Sequence, residues 1–197
     1  MPRTPEYDRS QVVDQAMAVF WERGYGKTSI GDLVTATGLK PGSLYAAFGS
    51  KKGIYLEVLE EYHRGFVVRI RDLARSGSAK MPAIRGLLQT IADDAVSGRD
   101  RRGCLSVNAL LEMSTHDPDV AARLDTHNAG VRLAFADLFS AAQERGEIPE
   151  ARDPMSLAAF LVSNIWGMRV MCKARADRSA MAAVIDGVMA SMGEDSA

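Results

Sequence analysis

The sequence predicts an all-α protein: an N-terminal three-helix helix-turn-helix domain joined by a long helix to a helical bundle. Three observations predict it. Apolar residues recur at intervals of three and four along nearly the whole chain, the period of one helix face. No segment alternates apolar and polar residues as a half-buried strand does. Between Thr28 and Phe48, two short amphipathic stretches meet at Gly38 and need a third helix and a body behind them to be stable.

Taken in order, a first helix opens at Asp8, with Gln11 as a capping-box partner, and runs to about Arg23. Val13, Ala16, Met17 and Phe20 form its apolar face. Thr28 and Ser29 suit the N-cap of a second helix, whose stripe is Ile30, Leu33, Val34 and Thr37. Gly38 suits its C′ position, where φ > 0 is needed, and Leu39 anchors the turn. Pro41 fits the first turn of a third helix, because its missing N–H is no loss there. Leu44 and Phe48 bury one side of that helix; Gly42, Ser43, Tyr45 and Ala46 lie on the other, between Lys40 and Lys51-Lys52. Ser50 caps a long fourth helix, where Tyr55, Leu59, Tyr62, Phe66, Ile70 and Leu73 recur until Ser76-Gly77-Ser78. With no flexible linker, that helix joins residues 1–52 mechanically to residues 53–197.

A helix over about 81–97, a charged turn from Gly98 to Gly103, and a helix from about Cys104 to Ser114 follow. Asp117-Pro118 and Asp153-Pro154 are matching start signals, Asp as N-cap and Pro at the first helical position. They open helices running to about Arg145, stopped by Gly146, and to about Lys173. A last helix covers about 179–192, and the tail after it is expected to fray.

Composition bounds the function. A chain of 197 residues with 47% hydrophobic and 25% charged residues is that of an ordinary soluble protein large enough to bury a core. Residues 1–52 carry seven Lys/Arg against five Asp/Glu, and the remainder 17 against 20, so a mildly basic head sits on an acidic body. That pattern fits one local nucleic-acid contact better than a uniform basic coat. Two cysteines, Cys104 and Cys172, are too few for a disulfide framework. The first ten residues lack the apolar core of a signal peptide, and no uninterrupted apolar run is long enough for a bilayer, so a cytoplasmic protein without membrane contact is expected.

The run from Val12 to Leu59 resembles the N-terminal domain of TetR-type (tetracycline-repressor-like) transcriptional regulators. The residues that carry the resemblance are Ala16, Phe20, Gly24-Tyr25, Thr28-Ser29-Ile30, Leu33, Gly38-Leu39 and the run Gly42-Ser43-Leu44-Tyr45-Ala46-Ala47-Phe48-Gly49-Ser50-Lys51. One departure is Gly53, where the family often has an acidic residue; the cap of the fourth helix should be weaker for it. The resemblance implies a ligand-responsive, operator-binding homodimer, most often a repressor, with no cofactor and no enzymatic activity. It also implies that the body both binds an effector and pairs through a four-helix interface. Physics supplies a second reason for pairing: one short recognition helix contacts too few base pairs, whereas a dimer reads two half-sites a helical turn apart.

Within this reading, Lys40 and Lys51 neutralise phosphates, and Thr28 and Ser29 offer hydroxyls at a helix N-terminus. Pro41, Gly42 and Ser43 approach base edges. The resemblance places the Tyr45 hydroxyl against the DNA backbone. For an effector, candidate lining residues are Tyr62, Phe66, Leu88, Ile91, Cys104, Asn108, Glu112 and Trp166. Asn108 and Glu112 lie one turn apart in an apolar run and are satisfied either by protein partners or by a ligand. Cys104 follows Arg101-Arg102-Gly103 at a helix start, a setting that activates a thiol, and Gly-Cys-Leu resembles a subgroup of the family that senses electrophiles or oxidants. The plainer reading is a small buried hydrophobe with no reactivity. Val131, Phe135, Leu138 and Phe139, with Leu157, Phe160, Leu161, Ile165, Trp166 and Met168, are core or dimer interface.

Enzymatic readings lack parts. His116-Asp117-Pro118-Asp119 has a metal-like look, but helix capping already explains it, and His127 has no second ligand at i+4. A Cys104–His116 nucleophile pair has no third orienting group, and no Gly-rich phosphate loop is present. The competing class is a helical ligand-binding or scaffold protein that does not bind DNA.

Overall fold

The computed structural model describes residues 7–97 and 102–193, and helices account for most of them. Three helices, α1 (Arg9–Arg23), α2 (Ile30–Thr37) and α3 (Pro41–Phe48), build the head. The long α4 (Lys51–Arg75) leaves it for the body, which contains α5 (Lys80–Ser97), α6 (Leu105–Met113), α7 (Pro118–Glu144), α8 (Pro154–Lys173) and α9 (Arg178–Met192). The charged turn at 98–101 and the tail at 194–197 lie outside the described residues.

The start and stop chemistry acts locally. Asp8, Ser50, Asp117, Asp153 and Asp177 each accept a backbone N–H in the first turn of the helix they precede. Asp8 serves Ser10, with no return bond from Gln11. Gly38 ends α2 in the left-handed region, φ 68°, where a side chain would be strained. Ser29, not Thr28, is the cap of α2, and Asp32 returns the bond in a full capping box.

Gly53 departs from the family pattern at little loss to the cap, because the Ser50 hydroxyl still accepts its N–H at 3.0 Å. Its own reason is space: a Cβ at Gly53 would collide with the Phe48 carbonyl oxygen, a backbone atom that cannot swing aside. Gly to Ala inside a helix ordinarily gains about 0.5–1 kcal/mol. Here overpacking, about 1–3 kcal/mol, should outweigh that gain. Gly53→Ala is therefore expected to lower the urea midpoint, and a raised midpoint would contradict the packing described.

Two apolar cores share the fold. The first joins Phe20, Leu33, Leu44 and Phe48 of the head to Ile54, Tyr55, Val58 and Leu59 of α4, and also to Leu105, Ala109, Val120 and Leu124 of α6 and α7. The second fills the body between the far half of α4, α5, α7, α8 and α9. The α4 helix contributes to both, so it cannot shift without disturbing each. By length and composition α8 could cross a membrane, contrary to the expectation from run length alone, yet it packs against α5, α7 and α9 as a bundle helix. Only 39% of its apolar window is buried within the protomer. Phe160, Val170 and Met155 of α8, with Leu133 of α7, are left exposed on the outside.

Candidate nucleic-acid interface and effector cavity

On the head, α3 is held from behind by Leu44 and Phe48, both buried, which turns its other side outward. Lys40, Pro41, Gly42 and Tyr45 are exposed there, and Ser43 is half-buried beside them. Lys40 makes the N-cap residue of α3 without a side-chain bond, so its ammonium is available to an anion.

Three expected DNA contacts need correction. Thr28 is only 1% exposed and its hydroxyl donates to the Gly24 carbonyl at 2.6 Å, so it packs and does not reach outward. Ser29 is exposed, but its N–H and its hydroxyl both donate to the Asp32 carboxylate. That carboxylate already occupies the positive end of α2, and Arg23 pairs with it. Lys51 donates to the carbonyls of Tyr25 and Thr28 at 2.9 and 2.8 Å and lies over the Tyr25 ring. Its ammonium fastens the turn between α1 and α2.

The same turn is gripped from the body. The Glu112 carboxylate accepts Tyr25 N–H at 2.9 Å and Gly26 N–H at 2.7 Å. Glu112 is thus a strut from α6 to the head, and it is not among the lining residues of the cavity between α4, α6, α7 and α8. Trp21 adds a second strut by donating to the Gly103 carbonyl at 3.1 Å, and Arg102 lies over its ring. Asn108 is satisfied by protein as well, donating to the Arg102 carbonyl and accepting from Lys173 at 2.8 Å.

A cavity lies on the body side of these struts, between α4, the start of α6, α7 and α8. It holds about 560 Å³ between atoms, part of it open to solvent. Tyr62, Phe66, Cys104 and Trp166 line it as expected. Leu88 and Ile91 do not, because they are buried in the second core on α5. The lining also includes His63, Ser106, His127, Asn128 and Arg169, for most of which the sequence offered no spacing signal. Cys104 is half-buried, and the Tyr62 hydroxyl donates to its sulfur at 3.6 Å. Arg101, invoked beside that thiol, lies outside the described residues.

The two histidines stack face to face, centroids 4.2 Å apart. His127 meets Glu60 through Nε2 at 3.1 Å, and Glu60 also accepts from Arg123. Burial, then the neighbouring His127, lowers the His63 pKa to about 4; burial also lowers that of His127, against the pull of Glu60. The unfolded chain takes up a proton near 6.5 that folded His63 refuses until about 4, so stability should fall as pH drops through that window. The loss is on the order of 1–2 kcal/mol after solvent screening. Urea midpoints at pH 7.5 and 5 should show it, and His63→Gln should flatten the difference.

Residues 12–58 match the model of bacterial regulatory proteins of the tetR family, and residues 81–188 match the tetracyclin repressor-like C-terminal domain. The chain belongs to the tetR family of bacterial regulatory proteins. The HTH-type transcriptional repressor ComR of Escherichia coli (strain K12) is 33% identical over 87% of this chain and 82% of its own. DhaR, an HTH-type transcriptional repressor of Mycobacterium sp. (strain GP1), is 30% identical over 90% and 87%. Among solved structures, a cysteine mutant of the regulator CifR complexed with 26-bp double-strand operator DNA superposes with TM-score 0.82 at 28% identity, covering 96% of this chain and 99% of that one. The regulator is accordingly a DNA-binding transcriptional regulator, and α2 and α3 are its helix-turn-helix.

Proposed function

We propose that the regulator acts in the cytoplasm as a homodimeric repressor, with residues 1–52 on operator DNA and residues 53–197 pairing and binding an effector. The observation that carries this reading is the position of α6. Its first turn, Cys104 and Ser106, lines the cavity, while Glu112 near its end grips two N–H groups of the turn that orients α2. An effector that shifts α6 against α4 moves the head and favours a spacing of recognition helices wrong for the operator. The solvent-facing apolar stripe of α8 with Leu133 of α7 supports pairing there. The resemblance of CifR, whose operator complex shares this fold, supports the use of α3 on DNA.

Lys40, Pro41, Gly42, Ser43 and Tyr45 form the reading surface; Lys40 is a cleaner probe of phosphate contact than Lys51, whose loss would also loosen the turn. Titration against the promoter region beside its own gene tests the assignment. Lys40→Ala should reduce the salt slope by about two per dimer, one for each copy, and weaken all sequences alike. Tyr45→Phe should weaken binding with the slope nearly unchanged. Unaltered affinity and slope in both would remove α3 from the interface.

Cys104 supports a second effector chemistry, since its sulfur lines the cavity beside the Tyr62 hydroxyl. Alkylation of native protein by iodoacetamide at this residue, with release from operator DNA, would support it; an inert Cys104 would end it.

A further inference from the structure

We propose that the cavity takes a compact organic acid, its carboxylate paired with Arg169 and its apolar body against Phe66, Val131 and Trp166. The inference rests on the effector reading above and specifies the ligand's chemistry.

Arg169 is the one Lys, Arg, Asp or Glu among the described lining residues. Its Nη1 is buried with no hydrogen-bond partner. A guanidinium has five donors and no acceptor, and leaving one unpaired away from water is costly, so a site that keeps it implies a partner from outside the chain. No Asp or Glu stands among the described lining residues to supply that partner. The nearby acid, Glu60, is already shared between Arg123 at 2.7 Å and His127 at 3.1 Å. Both histidines are held neutral near pH 7 by burial, so Arg169 supplies the one formal charge among the described lining residues.

One cation among the described lining residues suits a monoanion better than a phosphate, which gains from several cationic donors. The planar fork of a guanidinium matches a carboxylate in two-point contact. His127 offers the other open polar atom: with Nε2 on Glu60, Nδ1 is buried without a partner and, in the neutral ring, accepts a hydrogen bond. A hydroxyl or N–H on the ligand would satisfy it. Phe66, Val131, Phe135, Val162, Ile165 and Trp166 make an apolar wall for the body of the ligand, with Ser106 and Asn128 adding polar atoms beside it.

The test pairs acids with their primary amides, hexanoate with hexanamide and benzoate with benzamide, in calorimetric titrations of the full-length dimer. At least one acid should bind about tenfold tighter than its amide. Arg169→Gln, which keeps donors but loses the charge, should bring each pair within about twofold of one another. Arg169→Met without ligand should melt higher than the parent, because a half-buried guanidinium with an unpaired buried Nη1 has been replaced by an apolar chain. Equal binding of acid and amide, a preference that survives Arg169→Gln, no acid binding up to its solubility, or a lower melting point for Arg169→Met would each overturn the proposal. Operator titration with the same compounds separates the two readings. Acids that bind through Arg169 without altering operator affinity would refute the effector role and leave the ligand class standing. Release by the amides alone would refute the ligand class and leave the effector role standing.

Discussion

Gly42→Asp is expected to cost the regulator at least about a hundredfold in operator affinity while leaving its fold as stable as before, or slightly more so. The two effects separate because Gly42 faces outward: a Cβ there meets no atom within 4 Å. In the free protein the change removes a helix glycine, a gain of about 0.3 kcal/mol because aspartate is only a slightly better helix former. It also adds a negative charge to the first turn of α3, where the helix dipole favours it by about 0.3–1 kcal/mol. At the operator the same carboxylate meets phosphates and acceptor-rich base edges. Like-charge contact costs several kcal/mol, and each 1.4 kcal/mol is tenfold in affinity. A dimer suffers it twice. Anisotropy titration with the promoter fragment, alongside thermal melting, reads both. An Asp variant that binds like the parent would show that the first turn of α3 does not face DNA.

The second large effect is expected at the outer face of α8. Phe160 is 39% and Val170 51% exposed in the protomer, so Phe160→Glu with Val170→Glu changes no packed core position. If two copies pair across this face, a two-fold axis brings the new charges of one copy near those of the other, and each loses its apolar burial. Sedimentation should then show a folded monomer where the parent is a dimer. Operator affinity should fall by about a hundredfold or more, because a single head keeps only one half-site. A variant that remains dimeric would place the interface elsewhere.

The extent of the first core explains why the head cannot be treated as an independent unit. Val58, Leu59, Leu105 and Val120 fill it together with Phe20 and Leu44. The struts from Glu112 and Trp21 add polar fastening to that apolar continuity. Such a head should follow small shifts of α6 and α4 rather than hinge freely, which is what an effector needs if its binding is to reach the DNA.

Sequence alone determined whatever depends on near neighbours. The Asp-Pro starts of α7 and α8, the Ser50 cap, the Gly38 stop and the outward set of Gly42 and Tyr45 depend on residues within a turn or two of each other. Each was legible because a cap or a φ > 0 position demands particular residue types at fixed offsets. Tertiary structure decided what depends on distant partners. Glu112 looked like a pocket residue on its own helix, yet it binds Tyr25 and Gly26, 87 and 86 residues away. Leu88 and Ile91 were as apolar as any lining residue, and only packing put them in the core. His63 and His127 became neighbours because α4 and α7 lie side by side, and no spacing along the chain encodes that contact. The same holds for Arg169, whose place at the cavity, unlike its charge, only the assembled helices could set. Local backbone chemistry is written in consecutive residues, whereas the company a buried polar group keeps is chosen by the fold.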